Sequence, residues 1–206
     1  MHVMTSCEVQ DQNELSLSYT NPLYSTPMRQ AILHQTKCFK CICERCKDPQ
    51  ELGSGLSLLK CKNKAIQCSG VAVMVDPLNI ESDWICKMCD FTISCDMAKM
   101  MQDTALNCIN EENVSAQSTM EALKNLSRFL PESNHVMVDL KMRLIDQVIA
   151  NESLRNEFED TAIQFCFQLL QTARVIAPGK SKLRGKFIQE SCKFIFQLYI
   201  LQVFCL

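Results

Sequence analysis

The chain has 206 residues, 47% of them apolar and 21% charged, with a formal net charge of -2. That length and apolar fraction suit one medium domain or two small ones with a buried core, and they exclude a disordered chain. The near-neutral balance gives no general basic footprint for nucleic acid, because phosphate binding needs a concentrated basic surface.

Fourteen cysteines would suit a secreted disulfide framework. The opening MHVMTSCEVQDQNEL, however, has neither the basic start nor the apolar stretch of a secretory leader. The compartment therefore reads as reducing, cytoplasmic and/or nuclear, where clustered thiols bind metal.

Glu14 to Tyr19 (ELSLSY) alternates apolar and polar residues and predicts one short β-strand, which Asn21-Pro22 ends because proline cannot donate to a ladder. TPMRQAILHQT, Thr26 to Thr36, predicts a helix. Thr26 is placed to cap, Pro27 suits the first helical position, and Met28, Ile32 and Leu33 share a face. Lys37, Lys40, Arg45 and Lys47 follow, and exposed charge being the default, they read as a solvated rim.

Seven cysteines then fall into two sets, Cys41, Cys43 and Cys46 as C-x-C-x2-C, and Cys61, Cys68, Cys86 and Cys89 as C-x6-C followed by C-x2-C. Zinc needs four soft donors in a tetrahedron, and sequence-near pairs on tight turns supply them without a large core. The second set is complete, and the first is one ligand short. Cys7, Cys38, Cys95, Cys108, Cys166, Cys192 and Cys205 read mostly as small buried hydrophobes, with Cys38 and Cys7 also available as spare donors for the first set. Inside this module Val71 to Val75 is β-like and Asp76-Pro77 marks a turn. Trp84, two residues before Cys86, reads equally as a lid on the metal site or as core filler.

After Phe91 the apolar residues take a helical period, predicting helices near 94–110, 116–130, 133–150, 153–176 and 181–205. Ser115 caps the second of these, Pro131 interrupts, and Pro178-Gly179 separates the last two. The final run FIFQLYILQVFCL has thirteen residues and two glutamines. A bilayer span needs about 20 residues, so the run reads as a helix meant for burial, with no membrane partner. The predicted fold is mostly α, with a small zinc-rich irregular/β module and an antiparallel helical (TPR-like) array.

The order ELSLSYTNPLYSTPMRQAILHQTKCFKCICERC resembles the end of the SET domain and the post-SET segment of the SET-and-MYND (SMYD) protein-lysine methyltransferases. LKC…C…DPLNIESDWICKMC and APGKSKLRG are similar to the arthropod-type branch of that family. The resemblance runs from about residue 10 to 195 and implies three regions: 1–36 as the end of SET, 37–90 as post-SET and second zinc module, and 91–206 as helical region. It also implies that Tyr19 presents a hydroxyl to the methyl-transfer channel, where it would orient the substrate amine. Phe39 matches the aromatic that stacks on the adenine of S-adenosylmethionine. Cys41, Cys43 and Cys46 match the post-SET zinc ligands.

Four features depart from the family. Lys37 stands where family members often carry a second tyrosine. The Asn-His-Ser-Cys motif that supplies the fourth post-SET ligand is absent, Asn134-His135 being followed by Val136-Met137. The one Gly-x-Gly, Gly53-Ser54-Gly55, comes after the zinc triad instead of on a cofactor strand. The MYND module is missing. The resemblance therefore implies an N-terminally truncated, zinc-binding part of a lysine methyltransferase that does not catalyse by itself. A competing reading is a non-catalytic zinc and helical module, an adaptor or transcriptional regulator that docks a histone or another protein through its helices. A nucleic-acid zinc ribbon is disfavoured by the acidic balance.

Overall fold

The computed structural model describes Glu8, residues 17–110 and residues 115–204, with backbone alone for 109–110 and 195–204. Residues 14–16 of the predicted strand, the spare cysteine Cys7, and Cys205, read as a buried hydrophobe, lie outside these residues. Leu17, Ser18 and Tyr19 take part in no strand. The chain divides into two units, Ser18–Leu140 and a second made of Met1–Leu17 with Lys141–Leu206.

In the first unit, α1 (Thr26–Lys37) and the single turn α2 (Glu44–Lys47) precede a four-stranded antiparallel meander. Its strands are β1 (Leu59–Lys60), β2 (Val71–Met74), β3 (Trp84–Cys86) and β4 (Thr92–Ile93). Ala72 faces Cys86, Val73 faces Ile85 and Met74 faces Trp84, while Trp84 also pairs with Ile93. Leu56, Leu59, Ala72, Val73, Met74, Trp84 and Ile93 are buried. Each large apolar side chain among them contributes roughly 1.5–3 kcal/mol relative to exposure. Strands of two to four residues cannot hold a sheet by themselves.

After the sheet come α3 (Cys95–Asn110), α4 (Ala116–Leu126) and the start of α5 (His135–Ala150). Ser115 caps α4 as its sequence predicts, accepting the Ser118 amide at 3.1 Å. The helix stops at Leu126 instead of 130. The turn that replaces its last residues closes the sheet edge: the Phe129 carbonyl accepts the Lys60 amide at 2.8 Å, and Asn134 donates to the Leu58 carbonyl at 2.9 Å.

The second unit contains the rest of α5, α6 (Glu152–Ile176) and α7 (Lys182–Phe204). α6 and α7 pack together around Phe158, Ala162, Cys166, Leu169, Ala173, Phe187 and Phe194. Asn151 caps α6 by accepting the Ser153 amide at 3.0 Å. Apart from Phe194, the side chains of FIFQLYILQVFCL lie outside the described residues, so its expected burial meets no observation. Among the described residues no helix is long and apolar enough to cross a membrane. The architecture is mostly helical with a small antiparallel sheet.

A buried carboxylate ties the first unit together. Glu51, 1% exposed, accepts Arg45 Nε at 3.0 Å and Arg45 Nη2 at 2.7 Å on one oxygen. Its other oxygen accepts the Thr26 amide at 2.8 Å and the Ser57 hydroxyl. Arg45 continues to the carbonyls of Pro22 and Tyr24, and Arg29 stands 3.8 Å from the same carboxylate. Two sequence expectations change here. Ser25, not Thr26, holds the N-cap position and makes no side-chain cap, since the Glu51 carboxylate takes the first amide and complements the positive helix end. Arg45 is buried and paired, whereas Lys37, Lys40 and Lys47 are exposed as read. We expect Glu51→Gln to strand two buried guanidinium groups and lower the stability of this unit by about 3 kcal/mol. Urea unfolding followed through Trp84 fluorescence measures it, with Lys186→Gln, which breaks a half-exposed pair in the other unit, changing the midpoint little.

Candidate metal centres

The sulfurs of Cys61, Cys68, Cys86 and Cys89 all lie within 4.8 Å of one another. Cys61 and Cys89 are 3.6 Å apart, and Cys68 and Cys86 are 3.8 Å apart. Sulfurs bound at about 2.3 Å to a tetrahedral zinc are separated by about 3.8 Å, so the quartet has the dimensions of such a site. A disulfide would hold its sulfurs at about 2.05 Å, and all four thiols are free.

The chain builds this quartet from two turns that repeat one device. The amides of Asn63, Gly70 and Met88 donate to the sulfurs of Cys61, Cys68 and Cys86, two residues earlier, at 3.4, 3.3 and 3.4 Å. The Phe91 amide does the same for Cys89 and pulls its thiol down to about 7. Asn63 Nδ2 adds a contact of 3.7 Å to Cys89. Such donors spread thiolate charge and orient the ligands. Burial pushes Cys61 up to about 12, helped by the neighbouring sulfurs. All four thiols could ionise together only with a cation among them.

Gly70 belongs to the site although it offers no ligand. A Cβ there would lie 2.7 Å from Met88 Cβ, 2.8 Å from Cys86 Sγ and 3.2 Å from Cys68 Sγ. Only hydrogen fits where one cysteine turn crosses the other. Trp84 is 3% exposed and paired to Met74 and Ile93, so it serves the sheet core that adjoins the ligand Cys86.

The second group is Cys41, Cys43 and Cys46, whose sulfurs also converge within 4.8 Å. Gln30 on α1 clamps the first of them, donating to the Cys41 carbonyl at 2.6 Å and accepting its amide at 3.1 Å. Cys43 caps α2 and is exposed, while Cys46 is fully buried. Burial pushes the Cys46 thiol up to about 12 against the pull of the Arg29 charge. Cys38, at the left-handed end of α1, lies outside the converging set. This group offers three sulfur donors and an open side at Cys43. Of the cysteines read as buried hydrophobes, Cys166 alone among the described residues is buried; Cys95 and Cys108 are half-buried, and Cys38 and Cys192 are exposed.

Tyr19 and Phe39 meet edge to face with ring centroids 5.9 Å apart. The two residues are 60% and 40% exposed, respectively. Contact between them links the two residues that the resemblance singled out, although twenty positions separate them in sequence.

Two curated proteins of Drosophila melanogaster align with most of this cysteine-rich chain. SET domain-containing protein SmydA-8, isoform B, is 36% identical over 135 residues, covering 64% of this chain and 30% of that protein. Isoform A is 32% identical over 146 residues, covering 69% and 31%. This chain is a relative of SmydA-8. It spans about a third of the length of the SmydA-8 proteins it matches. No family model matches it.

Alongside the SmydA-8 relationship, both cysteine groups can hold a metal, and the donor set of the quartet fits zinc. A bound ion there would be structural, since four protein sulfurs leave no open position for a substrate. Gly70→Ala should lower zinc affinity at least about tenfold, in the range of other changes around a ligand shell. Competition with a chromophoric chelator measures it, and Gly185→Ala, where a Cβ meets nothing within 4 Å, should leave it unchanged.

Proposed function

We propose that this chain is the zinc-organised post-SET and helical portion of a SMYD-like protein-lysine methyltransferase. It holds zinc in the Cys61/Cys68/Cys86/Cys89 site and does not transfer methyl groups by itself. The relationship to SmydA-8 supports the family part of this reading. Its compartment would be the cytoplasm or nucleus, where free thiols persist.

The observation that carries the catalytic part is the exposure of Tyr19 and Phe39. Methyl transfer from S-adenosylmethionine to a lysine needs a neutral amine in a dry channel, with the methyl-sulfur axis held in line. Two rings standing half in water do not enclose a cofactor. The residues present here therefore do not fit S-adenosylmethionine, and no step through it is assigned to this chain. With further SET structure supplied against these rings, Tyr19 would orient the amine and Phe39 would stack on the adenine. The substrate would be a histone or another protein carrying the target lysine.

The open side of the three-cysteine group supports the same reading. Three thiolates beside the Arg29 charge bind zinc weakly until a fourth donor arrives. A second reading, a non-catalytic docking module, is favoured by the methionine-rich surface beside the quartet.

Calorimetry of the zinc-loaded chain with S-adenosylmethionine should give no binding heat, and saturable binding would overturn the catalytic part of the proposal. Elemental analysis after dialysis should give about one tightly held zinc per chain. A content near two would mean that Cys41, Cys43 and Cys46 already have a fourth donor.

A further inference from the structure

Along α3, Met97, Met100, Met101 and Thr104 follow the spacing that puts residues on one helix face. With Phe91, Ile93 and Phe129 they line a groove of about 700 Å³. Ile93 and Met101 are buried, whereas Met97 and Met100 are 46% and 57% exposed. The apolar stripe of α3 is thus wider than the surface its own core covers.

Lys62 and Lys64, from the loop between the quartet ligands Cys61 and Cys68, complete the lining with Thr92 and Ser94. Lys62 Nζ lies 5.3 Å from the centre of the Phe129 ring. Among the described residues no carboxylate lines the groove. Lys60, by contrast, is engaged at the Ser127 carbonyl at 2.6 Å.

We propose that this groove docks an acidic amphipathic helix of a partner protein. Apolar residues at helical spacing enter among Met97, Met100 and Phe129, and carboxylates on that helix meet Lys62 and Lys64. Methionine side chains are unbranched and polarizable, so they adapt to different apolar anchors, and an amphipathic helix lying in an apolar groove is a recurrent recognition mode. The unbalanced lysines select the sign of the partner's charge. A single-stranded nucleic acid fits less well, because it needs a longer cationic track and a series of stacking faces, whereas this lining offers two lysines and two rings, with three methionines and an isoleucine as its apolar floor. None of these residues belongs to the methyl-transfer reading, so the docking site stands apart from it. Zinc has a part here, because the quartet fixes the loop that carries both lysines.

Fluorescence anisotropy on the zinc-loaded full chain tests the proposal with a labelled helical peptide bearing leucines at i, i+3, i+4 and i+7 and glutamates on its flanks. We expect it to bind about tenfold or more tightly than the same peptide with lysine in place of glutamate. The double variant K62E/K64E should reverse that preference. Met97→Gln with Met100→Gln should weaken the glutamate peptide at least about tenfold. Unchanged zinc content in each variant shows that the site nearby is intact. Equal binding of the two peptides, a preference unmoved by charge reversal, or no peptide binding would overturn the proposal. So would salt-sensitive binding of a single-stranded oligonucleotide that depends on Lys62 and Lys64 when the peptide is not bound.

Discussion

Four sulfurs converging within 4.8 Å are the constraint on which the first unit depends. The strands around them have two to four residues each, too few to hold a sheet through their own ladder. Cys61 follows β1, Cys68 precedes β2, Cys86 ends β3 and Cys89 precedes β4, so a bound metal would clamp every connection except the Asp76–Asp83 loop. That loop is held by its own polar groups: Asp76 accepts the Leu78 amide at 2.9 Å, and the Asp76 amide donates to Ser82 at 2.8 Å. Metal ligation at the quartet would stand in for the apolar area that so small a sheet cannot bury.

Glu51 plays a corresponding part for the three-cysteine group. Its carboxylate joins the start of α1 to Arg45 on α2, and Gln30 of α1 then grips the backbone of Cys41. The three sulfurs are therefore positioned by a buried ionic network on one side and open toward solvent at Cys43 on the other. Tyr19 and Phe39 also expose their rings. A site with a rigid back and an unfinished front is what a docking element would complete.

Much of this was legible in the sequence because it obeys local rules. The quartet is written in cysteine spacing, α4 in Ser115, and the helical region in apolar periodicity, with α3, α5, α6 and α7 beginning within two residues of expectation. What could not be read depends on contacts between distant residues. Arg45 looked like one of four surface bases because nothing near it in sequence says that Glu51, held at a positive φ of 52°, turns a carboxylate inward to meet it. The end of α4 at Leu126 goes with a turn whose Phe129 carbonyl accepts an amide of β1, a contact between distant residues. Nothing in the sequence singles out Gly70, and only the crossing of two cysteine turns shows why a Cβ is excluded. Gln30 carried no signal, since a glutamine on an amphipathic helix normally faces water.

The central claim is that metal at the quartet holds the sheet. The chain's single tryptophan, Trp84, is 3% exposed in β3, two residues from the ligand Cys86. Stepwise chelation of the zinc-loaded protein, with metal release and Trp84 emission recorded together, tests the claim directly. The account requires the emission to shift to the red in proportion to zinc released, and to return when zinc is restored. Complete loss of zinc with the Trp84 emission unchanged would contradict it.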